Sequence, residues 1–202
     1  MKRHFQYNWW KYLLIIILPV IIWTSVFDIL AQPKRSEQVR ILFVGEGLDT
    51  QALQQDIADQ IPSLTEQQIL EVTVAAATPA GLSYTEFLTA QCFNYDILIL
   101  SESYLHNNVG QGVFSRLTDD LLAAFPEVPV YTETVEGVPL AFGFVLFSGT
   151  EQNPFSACYT RTDTCYLFIS PESAHFETQN GNGIAEDDAA LKAAQYLLEE
   201  IS

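Results

Sequence analysis

The chain opens with a continuous apolar run and continues with shorter apolar segments that are separated by polar ones. The opening run extends over residues 9–31, and between Tyr12 and Phe27 it contains no charged side chain. The hydrocarbon core of a bilayer is about 30 Å thick, and a helix that rises about 1.5 Å per residue needs about 20 residues to cross it. The run therefore predicts a membrane anchor at 9–31 that contacts the lipid bilayer, preceded by a short tail at 1–8.

The length of this run favours an uncleaved anchor over a cleaved signal peptide. Trp9 and Trp23 stand towards its two ends, where amphipathic rings prefer the membrane interface. A signal peptide is the alternative, because Lys2 and Arg3 precede the run and residues 29–31 resemble a cleavage site. Basic residues are nearly balanced on the two sides. A short tail most simply stays in the cytoplasm, which predicts a single-pass protein of the cell membrane with its main domain, 39–202, outside the cell.

Beyond a polar, proline-containing linker at 32–38, strand-like and helix-like patterns alternate. Apolar runs typical of buried strands occupy residues 39–44, 69–77 and 95–100, and helical periodicity begins at Asp49 or Thr50 and again near Tyr84. This alternation predicts an α/β domain in which helices flank a mainly parallel sheet.

The rest of the domain predicts one more helix, two strands in sequence, a short strand at 166–169 and a final helix. The helix is expected at 115–125, and the strands at 128–134 and 138–147 are joined by Glu136-Gly137. Asp187 or Asp188 is expected to cap the last helix. The predicted apolar face of that helix consists of Leu191, Ala194, Leu198 and Ile201.

The charge distribution is strongly asymmetric. The part of the chain beyond residue 35 contains four basic and 24 acidic side chains, a formal net charge of −20, whereas the whole chain carries −16. Such a field repels phosphate backbones, so nucleic-acid binding is excluded as a main role. It favours cationic ligands, although a charged surface that only keeps the domain soluble is the simpler explanation.

The three cysteines predict neither a metal site nor a cofactor site. Cys158 and Cys165 flank a short polar segment that predicts a small hairpin, and outside the cell a disulfide could join them. Two reduced, buried cysteines are an equal alternative. Cys92 is expected to be a small core residue, and no cysteine or histidine spacing matches a known metal motif.

Two further motifs fail at their defining positions. Gly45-Glu46-Gly47 follows the first strand, where a dinucleotide fingerprint would stand, but Thr50 replaces the third glycine. The loop at 178–189 places oxygen-bearing side chains around glycines as a calcium loop does, but it begins with Thr178 and ends with Ala189 in place of carboxylates. A tight turn and a loop leading into a helix are the expected structures.

Polar side chains follow two of the predicted strands. Glu46 comes after the first strand, and Ser101, Glu102, Ser103 and Tyr104 come after the third. In open α/β sheets ligands bind outside the carboxyl ends of the strands, so these five residues are the candidate ligand-binding site. Their alternative role is to form turns and cap helices.

Residues 94–105 (NYDILILSESYL) and 114–122 (FSRLTDDLL), followed by 136–142 (EGVPLAF), resemble the first lobe of extracellular solute-binding proteins of bacterial ABC importers. The resemblance implies one lobe of a periplasmic-binding-protein fold, a solute ligand and a link to transport. The chain departs from that family by having a membrane helix in place of a lipoprotein cysteine and about half the expected length. It is also similar to small membrane-anchored proteins that have no established activity.

These observations predict a membrane-anchored extracellular binding or accessory module, not an enzyme. Its partner would be a small solute, a transporter or another cell-surface protein. Two alternatives stay open: a hydrolase-like enzyme that uses Glu46, Glu102 or His175, and a scaffold for protein assembly at the cell surface. No G-x-S-x-G motif is present, and neither His106 nor His175 has a nucleophile beside it in sequence, which disfavours the hydrolase.

Overall fold

A computed structural model describes residues 2–31, 38–60, 71–78, 83–106, 109–150, 152–173 and 189–198. The chain divides into two compact units, residues 1–34 and residues 35–202. The first unit contains one helix, and the second contains a sheet with helices on both faces. The linker predicted at 32–38 lies outside the described residues, except for Gln38 at the start of the first strand.

Helix α1 spans Lys2–Ala31 and contains the apolar segment Trp9–Phe27. This segment has 19 residues and a mean hydropathy of 1.9, and none of it is buried. Pro19 lies inside the helix, and the Thr24 hydroxyl donates to the carbonyl oxygens of Val20 and Ile21, at 3.0 Å each. By length and composition α1 can cross a membrane, a property that N-terminal signal sequences share.

The second unit is built on a six-stranded sheet with the order β2-β1-β3-β6-β5-β4. The strands are β1 (Gln38–Val44), β2 (Glu71–Ala77), β3 (Ile97–Ser101), β4 (Val130–Val135), β5 (Val138–Phe147) and β6 (Cys165–Ile169). β1 pairs in parallel with β2 and β3, whereas the pairs β3–β6, β5–β6 and β4–β5 are antiparallel. The predicted α/β class is confirmed, but the prediction of a mainly parallel sheet is wrong.

The connection between β4 and β5 explains part of this difference. Glu136 and Gly137 form the turn with φ angles of 52° and 84°. A two-residue turn with positive φ at both positions matches the twist of an antiparallel hairpin and cannot join parallel strands. This short connection therefore makes the β4–β5 pair antiparallel.

The helices of the second unit pack on both faces of the sheet. They are α2 (Thr50–Gln60), α3 (Tyr84–Cys92), α4 (Val109–Val113), α5 (Asp119–Ala124), α6 (Pro154–Cys158) and α7 (Ala189–Leu198), and a 3₁₀ turn spans Glu102–Tyr104. The predicted cap of α2 is confirmed, because the Asp49 carboxylate accepts from the Ala52 N–H at 3.0 Å. The predicted caps of α7, Asp187 and Asp188, lie outside the described residues.

The helix predicted at 115–125 is shorter in the structure. α5 begins at Asp119, because Thr118 takes the capping position and its hydroxyl accepts from the Leu121 N–H at 3.3 Å. The residues just before it are irregular and bring Phe114 and Leu117 into contact with the sheet.

Both faces of the central strands are buried. Val39, Ile41 and Phe43 of β1 pack with α2, α5, α6 and α7 on one face, and Leu42 and Val44 pack with α3 and Phe114 on the other. The chain thus leaves β1 through α2 on one face and returns from β2 to β3 through α3 on the opposite face. This reversal makes the gap between the carboxyl ends of β1 and β3 a topological switch point, where α/β domains bind ligands.

A buried carboxylate ties the opposite ends of these strands together. The side chain of Asp96, which is 1% exposed, accepts from the Arg40 N–H at 3.0 Å and from the Ser173 hydroxyl at 2.6 Å. Its carbonyl oxygen also accepts from the Ser170 N–H at 2.9 Å. Asp96 therefore links β1, the start of β3 and the chain that leaves β6.

The hairpin predicted between Cys158 and Cys165 is wrong. Cys158 ends α6, and Cys165 begins β6, which pairs with β3 and β5. Asn153 caps α6 by accepting from the Ser156 N–H at 2.8 Å, so a helix, not a strand, leads into Cys158. Cys92, Cys158 and Cys165 are free thiols in the structure, and Cys92 is buried as expected.

Replacing Asp96 by alanine should destabilise the second unit strongly. The change removes the carboxylate that accepts from the Arg40 N–H and the Ser173 hydroxyl, and the loss of each of these part-buried hydrogen bonds costs about 1–3 kcal/mol. Urea unfolding of the full chain, followed by the near-ultraviolet circular dichroism of its tyrosines, measures the change. The control is Asp120→Ala, an exposed change in the first turn of α5 that should cost under about 1 kcal/mol. Equal unfolding midpoints for the two variants would contradict the role given to Asp96.

Candidate functional site

The candidate site lies where β1 and β3 end side by side. Gly45 follows β1, and a Cβ atom at this position would lie 2.8 Å from the Ser101 hydroxyl oxygen and 2.7 Å from the Phe43 ring. Two residues later, Gly47 has a φ of 94°, a conformation that favours glycine. The two glycines let the chain turn tightly against the end of β3 and place Glu46 between them, at the surface.

Residues 159–164, which connect α6 to β6, bridge the ends of both strands, and we call them the cap segment. Both the N–H and the hydroxyl of Thr160 donate to the Gly47 carbonyl oxygen, at 2.9 Å each. At the other end of the segment, the Thr164 carbonyl oxygen accepts from the Glu102 N–H at 2.7 Å. The cap segment therefore crosses the strand ends that border the crevice between β1 and β3.

The cap segment places a cation on Glu46. The Arg161 guanidinium forms an ion pair with Oε2 of Glu46, and the Tyr104 hydroxyl donates to Oε1 at 3.4 Å. The Arg161 side chain is 47% exposed and that of Glu46 is 55% exposed. Because water screens both charges, the pair contributes at most about 1 kcal/mol to stability.

A second set of contacts joins the end of β3 to the cap segment. The hydroxyl oxygens of Ser101 and Ser103 are 3.1 Å apart, and Ser103 donates to Oδ2 of Asp163 at 3.3 Å. The other oxygen of Asp163 accepts from the Tyr159 hydroxyl at 2.5 Å. Ser101 is buried, whereas Ser103 is exposed, so this network runs from the sheet to the surface.

The structure thus brings together four of the five predicted side chains, Glu46, Ser101, Ser103 and Tyr104. Glu102 is exposed and contacts the cap segment through its backbone N–H.

Arg161 and Asp163 were not among the predicted site residues, because they lie far along the chain from the strand ends. One signal was present: Arg161 is among only four basic side chains beyond residue 35.

A separate aromatic group lies on the face of the sheet that α3 and α4 cover. The Tyr84 ring stacks on His106 with centroids 3.8 Å apart, and the Tyr131 ring meets that of Tyr166 edge-on at 5.4 Å. The Tyr131 hydroxyl donates to Oε1 of Glu133 at 2.9 Å. This face therefore carries partly exposed tyrosines beside a buried carboxylate.

Burial controls the ionisation of the nearby thiols and phenols. It raises the pKa of the Cys165 thiol to about 12 and also raises the pKa of Cys158. Burial, followed by the hydrogen bond to Asp163, raises the pKa of Tyr159. These groups stay protonated at neutral pH, so neither thiol has the thiolate character of a nucleophile.

Among the residues that the structure describes, no three histidine, cysteine, aspartate or glutamate side chains are placed to hold a metal ion. His106 is the only described histidine of the second unit, and its ring stacks on Tyr84. His175 and the calcium-like part of the loop, 178–188, lie outside the described residues.

Comparison with known proteins finds no match: no protein-family model, curated protein or solved structure is similar to this chain. The resemblance to extracellular solute-binding proteins stays a prediction from the sequence.

The free energy of unfolding should fall as the pH rises above 9. In the folded protein the pKa of Cys92 is about 11 and that of Cys165 about 12, because burial disfavours both thiolates, whereas the ordinary value is 9. Between these values the unfolded chain releases protons that the folded chain keeps, so stability is full below pH 9 and decreases above it. Each thiol contributes a slope of up to about 1.4 kcal/mol per pH unit.

Urea unfolding at pH 8, 9 and 10 checks this prediction. Buried tyrosines add to the fall in stability near pH 10, because the ordinary pKa of tyrosine is about 10, and a variant without the two thiols isolates their share. The control is the double variant Cys92→Ala/Cys165→Ala, whose stability should change less between pH 9 and 10. An identical slope in the two proteins would contradict the assignment to these thiols.

Proposed function

We propose that this chain is a membrane-anchored binding module whose acidic domain lies outside the cell and takes a small solute at the strand-end rim. The strand-end rim consists of Glu46, Ser101, Glu102, Ser103 and Tyr104. The observation that carries the proposal is the position of this rim at the switch point between β1 and β3, where open α/β sheets bind ligands.

The chemistry of the rim supports a ligand that donates hydrogen bonds or carries positive charge. The rim and the cap segment together present the carboxylates of Glu46, Glu102 and Asp163 and the hydroxyl of Ser103, all at least partly exposed. Arg161 alone carries positive charge among these side chains. The formal charge of −20 beyond residue 35 adds a field that concentrates cations at the surface.

A single lobe supports an accessory role better than tight capture. Residues 35–202 form one compact unit around one sheet, with no second lobe among the residues that the structure describes. Pockets that bind small molecules tightly bury about 70–90% of the ligand surface. A ligand held at one rim leaves more of its surface in water, so we infer weak binding that suits the transfer of a solute to a membrane partner.

The two alternatives differ in what supports them. The hydrolase would need an activated nucleophile, but the thiols near the rim stay protonated and Glu46 is paired with Arg161. The cell-surface scaffold uses the same exposed acidic rim, with a basic protein in place of a solute. A solute panel measured on the purified chain distinguishes solute binding from docking, because a scaffold takes no solute.

The rim is tested by thermal unfolding of the full chain in lipid nanodiscs against a panel of sugars, amino acids and amines. At least one compound should raise Tm, because a ligand that binds only the folded state stabilises it. Glu46→Gln removes one rim charge and should lower the affinity for that compound by about tenfold, a typical value for the loss of a charged hydrogen bond. Glu127→Gln is the matched control, an exposed glutamate after α5 that should leave binding unchanged. A panel without any Tm shift would contradict the proposed solute.

The anchor and its orientation are tested on intact cells that express the chain with an epitope tag at each end. External protease should remove the C-terminal tag, whereas the N-terminal tag should be protected inside the cell. The fragment that carries the N-terminal tag should stay with the membrane after carbonate extraction. A chain without residues 9–27 should lose its membrane association, because the apolar segment is gone. Loss of the N-terminal tag during secretion would identify a cleaved signal peptide and contradict the anchor.

A further inference from the structure

Three tyrosines, which we call the tyrosine cluster, lie on the α3/α4 face of the sheet: Tyr84, Tyr131 and Tyr166. Each packs on a core of buried side chains that includes Phe114 and Phe168, yet each keeps part of its surface exposed. By contrast, Phe43 and Phe155 on the opposite face are fully buried. Part of each tyrosine is therefore accessible to a ligand, whereas these core phenylalanines are not.

Neighbouring groups hold the rings of the tyrosine cluster in place. The Tyr84 hydroxyl donates to the Tyr104 carbonyl oxygen while its ring stacks on His106 with an interplanar angle of 18°. The Tyr131 ring packs edge-on against both Tyr166, at 5.4 Å, and Phe168, at 5.5 Å. Because the rings are already ordered, binding does not have to immobilise them.

Two carboxylates flank the tyrosine cluster. Glu133 is only 8% exposed, and its Oε1 accepts from the Tyr131 hydroxyl at 2.9 Å and from the Gly110 N–H at 2.7 Å. On the other side, burial and then the charge of Glu102 raise the pKa of Tyr166. The phenols thus stay neutral at physiological pH.

We propose that the tyrosine cluster binds an organic ammonium ion whose substituents are alkyl groups. A positive charge with an apolar shell is attracted to aromatic faces, at about 0.5–2 kcal/mol per ring, and loses less hydration than a metal ion. The flanking carboxylates and the net charge of −20 beyond residue 35 favour a cation over a neutral or anionic solute. This inference goes beyond the proposed function, because it assigns a second ligand site, on the α3/α4 face, that is separate from the strand-end rim.

Isothermal titration of the full chain in lipid nanodiscs tests the inference with three probes: tetramethylammonium, choline and 3,3-dimethylbutan-1-ol. The last compound has the shape of choline without its charge. The two cations should bind, and the neutral compound should bind at least tenfold more weakly than choline. Titration with sodium chloride at the same ionic strength should give no binding heat, which separates recognition from screening of the acidic surface.

Variants of one ring separate cation binding from packing. Tyr166→Leu removes the aromatic ring and should lower the affinity for choline by about 2- to 30-fold. Tyr166→Phe keeps the ring and should retain most of this affinity. Tyr95→Leu is the matched control, because Tyr95 packs on the same core but precedes β3 at its amino end. Its affinity for choline should equal that of the unchanged chain.

Equal binding of choline and its neutral analogue would overturn the inference, and so would unchanged affinity in Tyr166→Leu. If sugars or amino acids raise Tm but neither cation binds, the inference fails while the proposed function stands. If no compound of either set binds, both fail.

Discussion

The burial of β1 and β3 on both faces is the constraint on which the rest of the second unit depends. Every residue of β3 is buried, and so are all residues of β1 except Arg40. A strand that is apolar on both sides needs cover on both sides, so successive helices must pack on opposite faces. For this reason α2 and α3 pack on opposite faces of the sheet, and a switch point lies between the carboxyl ends of the two strands.

The cap segment follows from the same burial. Where a buried strand ends, its polar groups need partners, and leaving them unpaired costs free energy. Residues 159–164 supply those partners for Gly47 and Glu102, and their side chains pair with Glu46 and Ser103. The strand-end rim therefore has a structural role as well as the binding role that we propose. A ligand would have to compete with Arg161 for the Glu46 carboxylate of the rim.

Charge and aromatic surface point to the same class of ligand by independent routes. The acidic surface concentrates cations without selecting among them, whereas in our proposal the half-exposed tyrosine cluster selects a cation with an apolar shell. In the proposed function, a single lobe holds such a ligand loosely. Loose binding would suit the proposed transfer of the solute to a membrane partner, because release is then fast.

The sequence by itself determined several of the elements and the apolar character of their buried residues. The apolar segment inside α1, the strands β1 and β3, the cap at Asp49 and the helix beginning at Tyr84 were all predicted, since each depends on neighbouring residues. The predictions failed where the pairing of strands far apart in the chain decides the structure. Apolar runs do not specify a strand's direction, so β6 lies antiparallel to β3 although its sequence suits either arrangement.

The candidate site divides in the same way. Glu46, Ser101, Ser103 and Tyr104 were predicted because they follow strands in sequence, and the position of strand ends is a local property. Arg161, Asp163 and the tyrosine cluster were not, because they come from segments far apart in the chain that the sheet order brings together. Local periodicity decides which residues follow the end of a strand. Only the packed sheet decides which residues from elsewhere in the chain contact them.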